Sequence, residues 1–158
     1  MLSLSLTAGY AIQALSCLDE TGAVWTQGKD VAAQTDVPRP YLTQVLHALG
    51  QAGIIYTKRG YKGGYRLVRP AREISMLDVI KAVDGEDCLG GCLLGRAICS
   101  DLRACPTHDF WEVEKVRIEK CLAGISLADV AAFERKRAKS SKKKPGEAGW
   151  LQAKPKAG

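Results

Sequence analysis

Four cysteines and one histidine lie within a short, glycine-containing segment of the chain, and their side chains are typical ligands of soft metal ions. The segment reads CLGGCLLGRAICSDLRACPTH and contains Cys88, Cys92, Cys99, Cys105 and His108. Thiolates and imidazoles grouped in this way hold iron–sulfur clusters or zinc. Because clustered thiols in a reducing cytosol are more often metal ligands than structural disulfides, the segment predicts a metal or cluster site.

The residue types alone leave several interpretations of this cysteine segment open. A zinc site could use the pairs Cys88–Cys92 and Cys105–His108, which would leave Cys99 unused. A transient disulfide between two of the thiols would need no metal. A small electron-transfer protein would use a similar loop for a cluster, but the DNA-binding elements predicted below would then have no role.

Length and composition predict one globular domain with a hydrophobic core. The chain has 158 residues, of which 46% are hydrophobic and 25% are charged. The N-terminal segment lacks the basic region and cleavage site of a signal peptide, and no apolar run approaches the roughly 20 residues of a membrane span. We therefore expect a cytoplasmic protein without a membrane partner. No arrangement of catalytic residues is evident, so we expect neither an enzyme nor a small-molecule substrate.

Positive charge is concentrated in one internal segment and in the C-terminal tail. The net charge is +6, but residues 37–72 contain seven bases and no acid, and residues 135–158 contain nine bases and one acid. The first 134 residues therefore carry a net charge of −2 despite the basic segment. A polyanion such as double-stranded DNA is the expected partner of residues 37–72.

Apolar periodicity and turn residues predict three helices before the middle of the chain. The first covers residues 3–19, a short second covers 27–35 with Thr26 as its N-cap, and the third covers 39–51. The break at Asp36-Val37-Pro38 separates the second helix from the third. Two helices joined by such a tight turn are typical of a helix-turn-helix, in which the second helix reads DNA.

A β-hairpin is predicted after the third helix. Residues 54–57 and 64–68 are rich in β-branched and aromatic side chains, and the turn between them is basic and rich in glycine. A hairpin in this place forms the wing of a winged helix-turn-helix. The predicted fold class is therefore mainly α with a small β-hairpin, followed by a long dimerisation helix.

The second half of the chain is predicted to contain three further helices around the cysteine segment. Ser75 caps a helix that ends at Gly85, Pro106 opens a long helix with one apolar stripe, and Ser126 caps a last helix that reaches about Ala138. A second copy of the chain would cover that apolar stripe. We divide the chain into a DNA-binding domain (1–84), a cysteine-rich cluster loop (85–108), a dimerisation helix with a short C-terminal helix (109–138) and a basic disordered tail (139–158).

The residues predicted to contact DNA lie at the start of the third helix and at the hairpin tip. At the helix start, Gln44 has the geometry to pair with adenine in the major groove. At the tip, Arg59 is suited to a narrow minor groove, with neighbouring lysines on phosphates. The full predicted set is Arg39, Tyr41, Thr43, Gln44, Lys58, Arg59, Gly60 and Lys62.

Three sequence stretches resemble a known family of regulators. They are RGYKGGYRLVRP (59–70), DVIKAVDG (78–85) and CPTHDFW (105–111). Together they resemble the winged-helix family that includes the iron–sulfur regulator IscR and the nitric-oxide sensor NsrR, over residues 2 to about 134. The resemblance implies a dimeric transcription regulator whose DNA affinity depends on an iron–sulfur cluster, with the long helix after the cluster loop as the dimer interface.

The resemblance also implies a ligand set for the cluster. The IscR-like pattern of three cysteines and one histidine falls on Cys92, Cys99, Cys105 and His108, with one extra residue in the first gap, and this set suits a 2Fe–2S cluster. Cys88 is an alternative fourth ligand in place of the histidine, and a 4Fe–4S cluster or a zinc ion stays open. NsrR-like members use a carboxylate from the first helix, and the matching residues here, 7–10, include no acid.

Overall fold

The computed structural model describes residues 4–60, 62–94 and 99–141, and these residues form six α-helices and one two-stranded antiparallel sheet. The predicted mainly α fold with a small hairpin is confirmed. Short 3₁₀ turns lie at Ala71–Glu73 and Asp101–Arg103. The main elements are α1 Leu6–Ser16, α2 Gly28–Gln34, α3 Arg39–Gln51, β1 Ile55–Lys58, β2 Gly64–Leu67, α4 Met76–Asp84, α5 His108–Gly124 and α6 Leu127–Ser141.

Side-chain caps determine where several helices begin. The Ser5 hydroxyl accepts a hydrogen bond from the Ala8 backbone N–H, so α1 begins at Leu6, later than predicted. Ser75 and Asp78 form a reciprocal capping box at the start of α4, which confirms the predicted cap. The predicted cap at Ser126 is likewise confirmed, since its hydroxyl accepts from the backbone N–H of Asp129.

The predicted N-cap at Thr26 is wrong. The backbone of Thr26 instead pairs with Tyr65 through two hydrogen bonds of 2.8 and 2.9 Å, and α2 begins at Gly28. The segment before α2 thereby forms an isolated antiparallel bridge with β2 and adds no further strand to the two-stranded sheet. Sheet pairing satisfies the backbone groups of Thr26 that a helix cap would otherwise use.

The hairpin register decides which side chains face the core. Ile55 pairs with Leu67, and both are buried, at 2% and 1% exposure. The next pair, Tyr56 with Arg66, alternates to the opposite, outer face of the sheet. The wing is therefore apolar toward the helices and basic and aromatic on its outer face.

One apolar core joins α1, α3, α4 and the hairpin. Its most buried large side chains include Leu15, Leu49, Leu67 and Ile74. The start of α6 is fixed to the start of α4 by hydrogen bonds from Met76 to Ile125 and from Leu127 to Ile74. Within the described ranges, no helix has the length and apolarity that a membrane crossing requires.

Helix α5 differs from the other helices because it buries little of its surface. It begins at His108, so Pro106, which was predicted to lie in its first turn, instead precedes the N-cap residue Thr107. Only His108 and Trp111 are buried along its 17 residues. Helix α6 runs three residues past the predicted end at Ala138, and residues 142–158 of the predicted tail lie outside the described residues.

Candidate metal centre and nucleic-acid interface

The start of α3 presents its predicted DNA-contacting residues to solvent. Arg39, Tyr41, Thr43 and Gln44 are all exposed, whereas the apolar side chains that recur every three or four residues on the other face, from Leu42 to Leu49, are buried. Pro40 lies in the first turn, where its missing N–H costs no hydrogen bond. The core anchors one face of α3, and the other face is open to a partner.

Glycines shape the tip of the wing and leave its basic residues exposed. Gly60 has a φ of 104°, which favours glycine, and the Gly63 N–H donates to the Gly60 carbonyl across the turn. A Cβ on Gly63 would lie 2.1 Å from the Lys58 carbonyl oxygen, so only glycine fits there. Lys58, Arg59 and Lys62 project from this turn and are exposed.

Arg66 is a candidate DNA contact that the sequence analysis missed. Its guanidinium carbon lies 4.8 Å from the centre of the Trp25 ring and 5.2 Å from that of Tyr56. Its Nε atom is buried and has no hydrogen-bond partner among the described residues. The two rings hold the guanidinium in place. The Nζ atom of Lys58 also lies over the Trp25 ring, 5.9 Å from its centre. The cross-strand pair Tyr56–Arg66 is the sequence signal that could have found it.

Ion pairs separate the seven bases of residues 37–72 into two groups. Arg69 pairs with Asp78 at 3.0 Å, and Arg72 pairs with Glu73 at 3.4 Å. Within the part of the chain that the structure describes, the other five bases form no salt bridge. These five lie at the start of α3 and on the wing: Arg39, Lys58, Arg59, Lys62 and Arg66.

The cysteine segment meets helix α5 at its first turn. The Cys99 sulfur lies 3.3 Å from Nδ1 of His108, the first residue of α5. Glu112, one helical turn further on, lies 3.7 Å from the same sulfur. The ligand atoms of these three residues all lie within 4.8 Å of one another. Glu112 was not among the predicted ligands, although its position four residues after His108 places both on one helix face.

An acidic residue fixes the orientation of the His108 ring. Nε2 of His108 lies 3.0 Å from a carboxylate oxygen of Asp101, and the His108 side chain is buried. Since Asp101 holds Nε2, the other ring nitrogen, Nδ1, faces Cys99. This carboxylate–imidazole pair is the usual arrangement behind a metal-ligating histidine.

Cys92 and Cys105, the other two predicted cysteine ligands, do not join the described residues whose ligand atoms converge within 4.8 Å. Partial burial raises the pKa of the Cys99 thiol, and the negative charge of a Cys92 thiolate raises it further, so the two sulfurs interact. The Trp111 indole N–H donates to the carbonyl of Gly91 at 2.6 Å and so holds the residue before Cys92 against α5. Cys105 is half-buried, and its sulfur lies 3.3 Å from the Thr107 hydroxyl.

Cys88 has a different set of neighbours. Its pKa is raised first by burial and then by the charge of Asp84, and Lys81 and Glu119 also influence it. Glu119 lies about two helical turns beyond Glu112 on α5. The structure therefore brings Cys99 together with His108, and it places Cys88 beside the end of α4.

Comparison with known proteins gives the family of the chain. The model of a family described as "Rrf2: Iron-dependent Transcriptional regulator" matches residues 4–132. The HTH-type transcriptional regulator IscR of Vibrio atlanticus is 35% identical over 101 residues, which cover 64% of this chain and 58% of that protein. An HTH-type regulator of Aquifex aeolicus is 29% identical over 132 residues, which cover 82% of this chain and 92% of that protein.

Solved structures agree with this result. IscR of T. potens has a TM-score of 0.62 at 27% identity, covering 95% of this chain and 96% of that protein. CymR, the global cysteine regulator of B. subtilis, has a TM-score of 0.66 at 22% identity, covering 84% of this chain and 98% of that protein, and supports the winged-helix fold alone. The chain belongs to the Rrf2 family, and it is a transcriptional regulator rather than an enzyme.

Proposed function

We propose that the chain is a homodimeric DNA-binding regulator whose DNA affinity depends on an iron–sulfur cluster bound by Cys92, Cys99, Cys105 and His108. The observation that carries this proposal is the contact between the Cys99 sulfur and Nδ1 of His108 at the junction of the cysteine segment and α5. When bound, such a cluster supplies a centre that responds to iron supply, redox state or nitric oxide. DNA binding would place the protein in the cytoplasm.

The donor set supports a 2Fe–2S cluster in particular. Three thiols and one imidazole suit such a site. The neutral imidazole in place of a thiolate would change the charge and the reduction potential of the cluster. Asp101 fixes the ring that would ligate, and Trp111 holds Gly91, the residue before Cys92, through its carbonyl. The position of Cys88 beside Asp84 and Lys81 favours His108 as the fourth ligand.

The exposed stripe of α5 supports the homodimer. Phe110, Val113 and Val116 are 58%, 52% and 64% exposed on a helix that otherwise carries many charges. Contiguous exposed apolar side chains of this kind are typical of a protein interface. A second copy of the chain would bury the same stripe from both sides in a symmetric contact.

The segment between the DNA-binding head (residues 1–84) and α5 would couple cluster binding to DNA binding. Residues 85–107 join the end of α4 to the start of α5, so the proposed ligands lie between the DNA-reading elements and the proposed dimer interface. A rearrangement of this connection would change the separation of the two α3 helices in a dimer. These helices must lie about 34 Å apart to enter successive major grooves.

The DNA contacts follow from the exposed residues of α3 and the wing. Gln44 would read a base edge in the major groove, and Arg59 would enter the minor groove. Lys58 and Lys62 would contact phosphates, where their contribution depends on salt. Arg66 adds a guanidinium that two aromatic rings already hold in place.

The test of this proposal is the composition and spectrum of anaerobically isolated protein. We expect iron and acid-labile sulfide in equal amounts, visible charge-transfer absorption, and an EPR signal after reduction. His108→Ala should shift the spectrum and the potential, whereas Cys88→Ala should leave both unchanged. Isolation with zinc and without sulfide, under conditions that preserve clusters, would contradict the proposal.

A further inference from the structure

The group formed by Cys99, His108 and Glu112 contains a carboxylate that the proposed cluster set does not use. Two of its members come from one face of α5, four residues apart, and the third comes from the cysteine segment. Their ligand atoms converge within 4.8 Å. A thiolate, an imidazole and a carboxylate together form a donor set that suits a single divalent ion of borderline softness, zinc above all.

The two distances from the Cys99 sulfur to the other members of this group match those of a mononuclear site. With zinc bonds of about 2.3 Å to sulfur and 2.0–2.2 Å to nitrogen or oxygen, tetrahedral angles place neighbouring ligand atoms about 3.3–3.8 Å apart. The observed distances from the Cys99 sulfur are 3.3 Å to His108 and 3.7 Å to Glu112. A single ion therefore fits among these atoms without a large movement of the backbone.

The surroundings of the group are also those of a metal site. Asp101 holds Nε2 of His108, which leaves Nδ1 for a metal. Lys115 pairs with Glu112 at 2.5 Å and holds that carboxylate on the side of α5 that meets Cys99. A water molecule would complete the fourth position of a tetrahedral site.

We propose that Cys99, His108 and Glu112 bind a single zinc ion when the chain carries no cluster. The inference goes beyond the proposed function, because zinc binding at these residues does not require that a cluster is ever assembled. The two states share Cys99 and His108, so they exclude each other. Glu112 would leave Lys115 to bind zinc, and it would stay with Lys115 when a cluster is bound.

The experiment is an anaerobic titration of the cluster-free full-length chain with Co²⁺, a spectroscopic substitute for Zn²⁺. We expect thiolate-to-cobalt and d–d absorption bands that Zn²⁺ abolishes. Glu112→Gln should weaken cobalt binding by more than the roughly 10–100-fold that loss of an outer-shell partner costs. Glu114→Gln is the matched control, because Glu114 forms the same kind of helical ion pair, with Arg117, and should bind cobalt like the wild type.

Cluster reconstitution of the same variants separates this inference from the proposed function. If Glu112→Gln loses cobalt binding but still assembles the cluster, the inference is supported. If no variant and no wild-type sample assembles a cluster, yet cobalt binding still depends on Glu112, the proposed function fails and the inference stands. Equal cobalt affinity in Glu112→Gln and wild type overturns the inference. A Glu112→Gln protein that binds neither cobalt nor the cluster also overturns it, because Glu112 would then be a cluster ligand.

Discussion

The DNA-binding head and the region from the cysteine segment through α5 are stabilised in different ways. In the head, large apolar side chains such as Leu15, Leu49 and Ile74 are almost fully buried, at 0–1% exposure. In α5, buried positions are limited to His108 and Trp111, and Phe110 and Val113 remain exposed. The head therefore has its own core, whereas α5 carries the candidate ligands His108 and Glu112 on one side and an open apolar stripe on another.

This difference indicates that the head and the region from the cysteine segment through α5 have separate roles within one chain. The rigid head holds α3 and the wing in a fixed relation, because both pack on one core. Under the proposed function, the cysteine segment and α5 would instead gain part of their stability from a bound metal and from a second subunit. A signal that changes the metal would thus alter the placement of two heads without unfolding either of them.

The largest expected effect is on the core of the head. Leu49→Ala should lower the free energy of unfolding by about 2–5 kcal/mol, because it leaves a cavity at a side chain with 0% exposure. Urea denaturation followed by circular dichroism measures this loss. Leu102→Ala, at 97% exposure in the cysteine segment, is the control and should change stability by less than about 0.5 kcal/mol. Equal losses in both variants would remove the distinction between the two regions.

The next effect concerns the open stripe of α5. Val113→Asp should weaken the dimer by at least about 2 kcal/mol, or roughly 30-fold, because it places a charge at the centre of the proposed interface. Analytical ultracentrifugation over a range of concentrations gives the dissociation constant. Val24→Asp alters a similarly exposed valine in the head and should remain dimeric. A fully dimeric Val113→Asp protein would place the interface elsewhere.

A smaller effect is expected from the stacked arginine on the wing. Arg66→Ala should weaken DNA binding and reduce the slope of log affinity against log salt by about 0.9, the value for one lost phosphate contact. Fluorescence anisotropy with labelled upstream DNA at several salt concentrations measures this slope. Arg72→Ala removes an arginine that already pairs with Glu73, so its slope should match the wild type. If Arg66→Ala has the same salt slope as the wild type, then Arg66 does not contact a phosphate and its stacking on Trp25 and Tyr56 has only a structural role.

The smallest effect is the pH dependence of the α6 cap. Hydrogen bonds from Ser126 lower the pKa of Asp129, so the ionised form stabilises the folded chain. That contribution is present above the unfolded pKa of about 3.9 and is lost as the pH falls through the lower folded value. Asp129→Asn should have a slightly lower urea midpoint at neutral pH, and the difference should vanish on acidification. If the urea midpoints of Asp129→Asn and wild type still differ at low pH, the difference does not come from the ionised Asp129 carboxylate.

Most of the head could be predicted from the sequence, since its elements follow local rules. Apolar periodicity predicted α3, and the hydroxyl side chains predicted the caps at Ser75 and Ser126. Thr26 was misassigned because its partner, Tyr65, lies far away in the sequence and sheet pairing overrides capping preference. Pro106 was misassigned because a proline near a helix start marks its position only within a few residues.

The candidate sites were predictable only where ligands share one segment of sequence. The cysteines and His108 form a recognisable spacing, but Glu112 comes close to the Cys99 sulfur only because the cysteine segment folds onto α5. Arg66 likewise acquires its role from Trp25 and Tyr56, which reach it across the sheet. Contacts between segments that are distant in sequence form through tertiary packing, so the residue spacing within one segment does not predict them.

The central claim is that the metal state of the cysteine segment controls DNA binding, and anaerobic anisotropy titrations test it most directly. Cluster-loaded wild type, cluster-free wild type and a Cys92→Ala, Cys99→Ala, Cys105→Ala variant would be titrated against the same labelled upstream DNA at the same salt concentration. We expect the cluster-loaded protein to differ from the other two by about 5–150-fold in affinity, the usual range of coupling between sites. Identical affinities for all three would contradict the account.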